Sequence, residues 1–322
     1  MRRLIIAAGA AVLLAASVAT APPAAAQIQG LEIIAPASPG GGWDQTARAM
    51  QNALQEAGLA QDVQVMNVPG AGGTIGLAQF VTSKEGEGDA LLISGLVMLG
   101  SILTNDAPVT IDQTTPIARL IGEYEVIVVP ASSEIQTLDD LLAALKEDPG
   151  AVSWAGGSAG GVDHILVGLI AKEAGVDPTQ INYVPFSGGG EALASLLGGH
   201  VTAGVSGYAE WAGQIEAGEL RALAVSGAER MEGVDVPTLQ EQGVDLELVN
   251  WRAVLAPPGI SDEDKKALAD AVAQMVESEA WQGILEERGW LNLYMPPDEF
   301  AQFLEQDREQ VETVLKDIGL VQ

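Results

Sequence analysis

A short apolar run, a glycine-rich loop and a helical face follow one another repeatedly along this chain. In the first copy, residues 31–34 precede the loop 35–44, and apolar side chains from Ala47 onward recur at helical spacing. The loops of the other copies lie at 68–73, 156–161, 185–190 and 206–208. Strands that alternate with helices predict parallel or mixed sheets covered on both faces. Ligands bind such sheets at the carboxyl ends of the strands, where these loops lie.

The glycine loops also predict a ligand chemistry. Glycine lets backbone N–H groups approach a ligand that side chains would otherwise block. A helix start adds unpaired N–H donors and the positive end of the helix dipole, a combination that attracts phosphates and carboxylates. For the first loop, which contains Gly40, Gly41 and Gly42, the alternative is a tight strand-to-helix turn with Asp44 in the first helical turn.

The spacing of the loops indicates two lobes. Two loops precede residue 80, and three lie between residues 155 and 208. The segments 116–130 and 246–258 are long enough to cross from one lobe to the other and back, which puts a cleft between hinged lobes. We therefore predict lobe 1 at 27–123 with 252–322 and lobe 2 at 124–251. Three tail helices, at about 262–278, 279–288 and 297–317, complete lobe 1.

The first 26 residues predict an export signal. Met1-Arg2-Arg3 is a basic start, residues 4–20 are apolar, and Ala24-Ala25-Ala26 matches a small-residue cleavage site. Gln27 is therefore the expected mature N-terminus. The apolar run is too short and too rich in alanine for a permanent membrane span. We expect a periplasmic protein that is free and soluble after cleavage.

The net charge and the cysteine content limit the classes of partner and of metal site that this chain can have. The formal net charge is −29 at pH 7, and cleavage of the signal would remove two arginines and make it more negative. Such a chain repels the phosphate backbone, so nucleic acid is excluded as a partner. The absence of cysteine excludes disulfides and thiolate metal sites. An anionic ligand would have to be held by local donors against the field of the whole molecule.

We expect neither a metal nor a cofactor. No cluster of histidine, aspartate and glutamate has metal-ligand spacing. The run 70–76 departs from the G-x-G-x-x-G dinucleotide fingerprint because position 75 is isoleucine. No acidic residue follows at the distance that would close a ribose-binding unit.

Ser158 raises the enzymatic alternative. It lies in a G-x-S-x-G pattern at 156–160, on a predicted strand-to-helix turn, the context of a hydrolase nucleophile. Such a serine needs a histidine base held by an acid, in the chain order serine, acid, histidine. The chain offers only His164, in the following helix, and His200, just before a predicted strand. We therefore expect no enzyme and interpret Ser158 as a hydroxyl donor to a carboxylate or as a turn serine. A serine hydrolase is the remote alternative.

A few further side chains are candidates for the cleft. Arg252 lies on the return crossing, and guanidinium groups bind carboxylates bidentately, so it either holds a second ligand carboxylate or forms a structural ion pair. The aromatic rings of Trp43, Tyr208 and Trp251 either wall the cleft or pack in the core. Asp163, in the first turn of its helix, can cap free backbone N–H groups. His164, the next residue, either contacts the ligand or packs in the core.

Several motifs in fixed order resemble one known family. They are PGGGWD at 39–44, NVPGAGGT at 67–74, YVPF at 183–186, GGGE at 188–191, LGGH at 197–200, LRALAV at 220–225, NWR at 250–252 and APPG at 256–259. Together they resemble the extracytoplasmic receptors of the tripartite tricarboxylate transporter family, also called TctC or Bug receptors. The resemblance implies an α/β, two-lobed, type II-like periplasmic binding protein. Two mixed β-sheets flanked by helices would be joined by two crossover strands.

The resemblance also implies a binding site. In this family backbone amides and small hydroxyls of two facing loops hold one ligand carboxylate. Together with the candidates above, the residues predicted to bind ligand are Ser38, Gly40, Gly41, Gly42, Trp43, Asp44, Gly72, Gly73, Thr74, Gly157, Ser158, Gly160, Gly161, Asp163, His164, Ser187, Gly207, Tyr208 and Arg252. Many relatives carry an acidic residue or asparagine at 206–208 that selects for an amine. Its absence here argues against an amino-acid ligand.

The functional hypothesis is a monomeric periplasmic receptor for a small di- or tricarboxylate. As the resemblance implies, it would deliver this ligand to a membrane permease of one large and one small subunit. Two alternatives remain open within binding proteins. The ligand is then an aromatic or other monocarboxylate, or the receptor presents its ligand to a sensor.

Overall fold

The structure, a computed structural model, describes residues 27–322. The predicted export signal at 1–26 lies outside the described residues. Within 27–322, no helix combines the length and the apolar character needed to cross a membrane.

Strands and helices alternate along most of the described chain. The strands are β1 (Ile28–Gln29), β2 (Glu32–Ala35), β3 (Ala60–Gln61), β4 (Gln64–Asn67), β5 (Ala90–Gly95), β6 (Thr115–Pro130), β7 (Ser153–Gly156), β8 (Asn182–Pro185), β9 (Ala203–Gly207), β10 (Leu220–Val225), β11 (Val249–Ala256) and β12 (Leu291–Met295). The helices are α1 (Gly42–Glu56), α2 (Thr74–Ser83), α3 (Leu96–Thr104), α4 (Leu138–Glu147), α5 (Val162–Glu173), α6 (Gly189–Leu197), α7 (Tyr208–Glu216), α8 (Asp262–Glu277), α9 (Glu279–Arg288) and α10 (Pro297–Asp317).

All five strand–loop–helix copies predicted from the sequence are present. They are β2 with α1, β4 with α2, β7 with α5, β8 with α6 and β9 with α7. A sixth copy, β5 with α3, was not predicted because residues 90–104 are a mostly apolar run in which a single glycine, Gly95, marks the change from strand to helix. The tail contains the three predicted helices. It also contains β12, a short strand that the sequence pattern did not reveal.

One long strand connects the two parts of the sheet. The main strand order is β4-β2-β5-β11-β6-β9-β7-β8, with β10 and β12 also paired to β6. The first part of β6 pairs antiparallel with β11 up to Tyr124, opposite Val249. From Glu125, opposite Gly207, the same strand pairs with β9. The outer pairs, such as β2 with β4 and β7 with β8, are parallel.

The apolar core divides in the same region of the chain. The largest group of packed buried side chains comes from 31–121 and 251–318, with Val162 and Ile165 added from α5. Two further groups lie wholly within 126–244. Since each core is built around its own part of the sheet, we propose lobe 1 at 27–123 with 252–322 and lobe 2 at 124–251.

Candidate functional site

A cavity of about 70 Å³ lies between the two lobes, at the carboxyl ends of the parallel strands. The lobes come close on either side of it. A Cβ atom placed on Gly72 of lobe 1 would lie 3.3 Å from the Ser158 Cβ of lobe 2. One placed on Gly188 of lobe 2 would lie 3.9 Å from the Gly41 Cα of lobe 1. The two lobes therefore lie close together beside the cavity.

Four helices begin at this cavity. Its wall includes Gly42 and Trp43 of α1, Val162 and Asp163 of α5, Gly189 of α6, and Glu210 of α7. The residues that precede these helices are all glycines: Gly41, Gly161, Gly188 and Gly207. None of these glycines offers a capping side chain, although Glu123 Oε1 accepts a hydrogen bond at 3.2 Å from the Ala209 N–H in the first turn of α7. First-turn N–H groups and four positive dipole ends are thus directed at one small space, which favours an anion.

Asp44 stabilises the first loop from behind the cavity. It accepts hydrogen bonds from the Gly40 N–H at 2.8 Å, Arg48 Nε at 2.9 Å and Asn67 Nδ2 at 2.9 Å. Burial by itself would raise the pKa of Asp44, but these hydrogen bonds and the Arg48 charge outweigh it and lower the pKa. Asp44 is therefore ionised at neutral pH, and both of its carboxylate oxygens are bound within lobe 1.

The second loop is held by a similar device in lobe 2. The Gly157 N–H donates to Asp163 Oδ2 at 2.5 Å, and the Tyr183 hydroxyl donates to the Gly157 carbonyl at 2.8 Å. His164 stacks on the Tyr183 ring at 4.0 Å between centroids, and its Nδ1 accepts from the Gly160 N–H at 3.3 Å. Burial lowers the pKa of His164 to about 4, so the ring is neutral at pH 7.

These contacts bear on the serine hydrolase alternative. His164 Nδ1 faces Gly160 and the His164 ring faces Tyr183, and within residues 27–322 Ser158 makes no hydrogen bond to a histidine. His200 lies in the turn between α6 and β9 and does not line the cavity. Without a base, the Ser158 hydroxyl is left free to donate a hydrogen bond into the cavity.

Arg252 reaches the cavity wall with both of its terminal nitrogens bound to protein groups. Its Nη1 donates to the Gly42 carbonyl at 3.1 Å and to Thr46 Oγ1 at 3.2 Å. Its Nη2 forms an ion pair with Glu123 in which both side chains are almost completely buried. The structural ion pair anticipated from the sequence is therefore present, and direct contact between Arg252 and a ligand stays a prediction.

Three other carboxyl groups surround this ion pair. Burial raises the pKa of Glu210 to about 8, with repulsion from Glu123 adding to the effect and Arg252 opposing it. Burial raises the pKa of Asp163 to about 6, against the hydrogen bond from Gly157. Burial and repulsion from Asp163 raise the pKa of Glu125 well above its ordinary value. Glu210 therefore keeps its proton at neutral pH, whereas Asp163 is mostly ionised.

The structure brings many of the predicted ligand-binding residues together at the cavity. Those on its wall are Gly41, Gly42, Trp43, Gly72, Gly73, Gly157, Ser158, Asp163, Ser187, Gly207 and Arg252. The predicted residues that do not line it, all within the described range, are Ser38, Gly40, Asp44, Thr74, Gly160, Gly161, His164 and Tyr208. Asp44 and His164 miss the wall because their polar atoms turn back onto the loops that they support.

The tryptophans that the sequence left ambiguous separate clearly. Trp43 is 7% exposed and lines the cavity, with its ring against Gly73, where an added Cβ would lie 2.6 Å from Cζ3. Trp251 points the other way. Its indole N–H donates to Asp307 Oδ2 at 2.9 Å and its ring packs edge-on against Phe300 and Phe303.

Sequence reasoning missed several residues of the wall. These are Pro36, Ala37, Gly70, Val97, Val162, Gly188, Gly189, Ser206, Glu210 and Asn250. Most adjoin loops that the sequence did single out, and Asn250 belongs to the NWR motif. Glu210 follows Gly207 by three residues, so the first-turn position of an acid in a predicted helix was the available signal. Among the described residues, no group of three or more histidines and acids is arranged to hold a metal ion.

Comparison with known proteins identifies the family. The family model described as "TctC: Tripartite tricarboxylate transporter family receptor" matches residues 46–320. Protein BugT of Bordetella pertussis is 28% identical over 295 residues, which cover 90% of this chain and 89% of BugT. MatC from Rhodopseudomonas palustris, solved with bound malate, superposes with a TM-score of 0.79 at 23% identity, over 89% of this chain and 99% of MatC. A second R. palustris protein, solved with adipate, superposes with a TM-score of 0.81 at 24% identity, over 90% and 97% of the two chains.

The structural likenesses confirm the two-lobed fold of a periplasmic binding protein. The family consists of periplasmic substrate-binding receptors, not enzymes, which removes the hydrolase alternative for Ser158. Because the family model spans most of the sequence, this chain belongs to the TctC, or Bug-type, receptors of the tripartite tricarboxylate transporter family.

Proposed function

We propose that this receptor captures a small dicarboxylate in the interlobe cavity and delivers it to a membrane permease of one large and one small subunit. The observation that carries the proposal is the convergence on one cavity of four helix starts that are each preceded by a glycine. Backbone N–H groups and positive dipole ends bind a carboxylate without a free basic side chain. This suits a wall whose arginine is already paired with Glu123.

The size and charge of the cavity support a short dicarboxylate over a tricarboxylate. A single water needs roughly 10–15 Å³, so a cavity of about 70 Å³ suits a ligand of only a few carbon atoms. Because Arg252, the basic side chain of the described wall, is paired with Glu123, the wall offers no unpaired cation to a third ligand carboxylate. Two proteins of the same fold have been solved with the dicarboxylates malate and adipate.

Closure of the two lobes is part of the proposed capture. Gly42 and Trp43 of lobe 1 and Ser158 and Asp163 of lobe 2 lie on opposite sides of the cavity. A ligand held by both sides binds the closed form more tightly than the open one, and this difference in affinity shifts the population toward closure. The permease would then recognise the closed form.

The ligand class is tested by stability against chemical unfolding at pH 7 in succinate, malate, adipate, citrate and benzoate. A bound ligand stabilises by RT ln(1 + [L]/Kd), about 2.7 kcal/mol at one hundred times Kd. We expect saturable stabilisation by a short dicarboxylate and little by benzoate. If none of the carboxylates stabilises the chain, the proposal fails.

A serine variant tests the site itself. Removing a hydrogen bond to a charged group costs about 1.5–3 kcal/mol, so Ser158→Ala should weaken binding of the dicarboxylate about 10- to 150-fold. Ser132→Ala is the matched control, since Ser132 is exposed in lobe 2 and away from the cavity wall. Equal affinities for both variants would place the ligand elsewhere. Uptake of labelled ligand by cells that carry the permease should fall for Ser158→Ala alone.

A further inference from the structure

Glu210 is an acidic residue on the cavity wall. The proposed function relies on backbone N–H donors and gives Glu210 no role. Glu210 lies in the first turn of α7, and its side chain is 10% exposed. Oε2 is buried and makes no hydrogen bond within residues 27–322. Oε1 faces lobe 1, where Arg252 Nη2 lies 3.8 Å away and a Cβ on Gly42 would lie 2.7 Å away. Oε2 lies on the side of Gly189 and Ser206. A buried carboxyl group with an unpaired oxygen is therefore part of the cavity wall.

The charged groups around Glu210 are mostly acidic. Glu123 and Glu125 face it from β6, Asp163 from α5, and Arg252 from β11. The neighbouring starts of α1 and α6 contribute glycine backbone, and β9 contributes the Ser206 hydroxyl. Within the described residues, Arg252 is the sole basic side chain on the cavity wall, and it lies closer to Glu123 than to Glu210.

An ionised Glu210 would conflict with an anionic ligand. In a buried site with little screening, two carboxylates side by side repel each other strongly, and Arg252 already has Glu123 as its closest partner. A neutral carboxyl group behaves differently, because its O–H donates a hydrogen bond. A hydrogen bond to an ionised acceptor is stronger than one between neutral groups.

We propose that Glu210 binds the ligand as a neutral carboxylic acid and donates its proton to a ligand carboxylate, so that the receptor holds its dicarboxylate together with one proton. This inference rests on the proposed function. It assigns Glu210 as a specificity residue, since the acid complements a carboxylate only while it keeps the proton. The helix starts at the cavity then hold the rest of the ligand.

The protonation state agrees with this geometry. Burial, with repulsion from Glu123 and Asp163, raises the pKa of Glu210 to about 8, although Arg252 and the Gly189 backbone N–H oppose the rise. The acid form then makes up roughly 0.9 of the protein at pH 7 and roughly 0.1 at pH 9. Since apparent affinity scales with the fraction of competent protein, the Kd should weaken about tenfold between pH 7 and pH 9.

Titration calorimetry with malate, or with whichever dicarboxylate stabilises the chain, measures this effect. Titrations at pH 7, 8 and 9 in buffers of different ionisation enthalpy give both the Kd and the protons taken up. We expect about tenfold weaker binding at pH 9 and an uptake approaching one proton per ligand there. The uptake measurement uses the unaltered chain, so it holds even if a variant misfolds.

Two glutamine variants locate the proton. Glu210→Gln keeps an N–H donor at every pH and should bind at pH 9 about as tightly as at pH 7, with no proton uptake. Glu216→Gln is the control, because Glu216 is exposed at the other end of α7. It should keep the tenfold slope of the parent.

Several results would overturn the proposal. If Glu210→Gln keeps the slope, the proton belongs to another group. Affinity that rises with pH in the parent would mean that Glu210 acts as an anion that closes the cleft on Arg252. If Glu210→Gln loses malate while the parent prefers aspartate to malate, Glu210 binds an ammonium group. If malate binds without any pH dependence, the role of Glu210 is refuted but the proposed function is not. If no carboxylate binds, the proposed function itself is refuted.

Discussion

Replacement of Gly100 by alanine is expected to hold the two lobes apart. Gly100 lies inside α3 of lobe 1, and a Cβ atom added there would collide with the Gly160 carbonyl of lobe 2. The next contact, Ile165 Cδ1 at 3.6 Å, also belongs to lobe 2. Nothing in lobe 1 beyond the helix's own backbone lies among these nearest atoms. The added methyl group therefore opposes closure and leaves lobe 1 itself undisturbed.

The size of the effect follows from the cost of overpacking. An extra methylene in a tightly packed site costs about 1–3 kcal/mol, and here the cost applies only to the closed form. If closure is required for binding, the Kd should rise about 5- to 150-fold. In the open form the same change replaces glycine by alanine in a helix interior and should stabilise it by roughly 0.5–1 kcal/mol.

Calorimetry for the Kd and small-angle scattering for the shape test this prediction together. Gly283→Ala is a matched control, because Gly283 lies inside α9 of lobe 1 and a Cβ there would meet nothing within 4 Å. The control should gain stability and keep its affinity. Gly100→Ala should gain stability without ligand, lose affinity, and remain extended when dicarboxylate is added. Unchanged affinity for Gly100→Ala would show that ligand binding does not need the closed interface seen here.

Three further variants test how the buried charges act. Arg252→Met should destabilise the fold by about 3–5 kcal/mol in denaturant unfolding, because it leaves Glu123 buried without a cation. Adding Glu123→Gln should restore much of the lost stability. If it does not, the ion pair is not the cause of the loss. His164 has a pKa of about 4 in the folded protein against an ordinary 6.5, so its contribution to stability is present above pH 6.5 and is lost as the pH falls toward 4. In unfolding titrations His164→Gln should remove up to about 3 kcal/mol of that acid destabilisation. An unchanged pH dependence would contradict the buried neutral ring. The pKa of Asp44 is lowered, so its ionised form contributes stability above the unfolded-state pKa, and this stability is lost as the pH falls through the folded-state pKa. Asp44→Asn should cost about 1–3 kcal/mol of stability at pH 7 and leave the dicarboxylate Kd unchanged. A weakened Kd would make Asp44 a ligand contact.

The sequence predicted the elements better than it predicted the side-chain partners. Glycine loops between apolar runs identified five strand–helix units, because loop chemistry is local and glycine marks it. The unit β5–α3 was not predicted because its strand and helix form one mostly apolar run. Strand β12 escaped because it is short and only partly buried, and its identity as a strand depends on pairing with β6.

The candidate site shows the same division. The two glycine loops and Ser158 were found from the pattern, and the structure puts them on one cavity wall. Asp44 and His164 were grouped with them by position, yet their polar atoms face inward to Arg48 and to Gly160. The direction of a side chain at a helix start depends on what packs behind the helix, which spacing in the sequence does not specify.

Glu210 shows most clearly what depends on tertiary structure. From the sequence it is one acid among 44 acidic residues in a chain of charge −29, and only its first-turn position separates it from the exposed Glu216 on the same helix. The fold brings it against Glu123 and the far lobe's Arg252, in a space too small for bulk water to solvate its charge.

The amino-acid sequence by itself determined the alternation of strands and helices, the glycine loops and hence the preference for an anion, because these depend on neighbours within a few residues. Only the tertiary structure decided which loops face each other, that Arg252 belongs to Glu123, and which acids keep a proton. Those properties depend on desolvation and on charges brought together from β6, α5, α7 and β11. A sequence lists such groups, but the distances between them exist only in the folded chain.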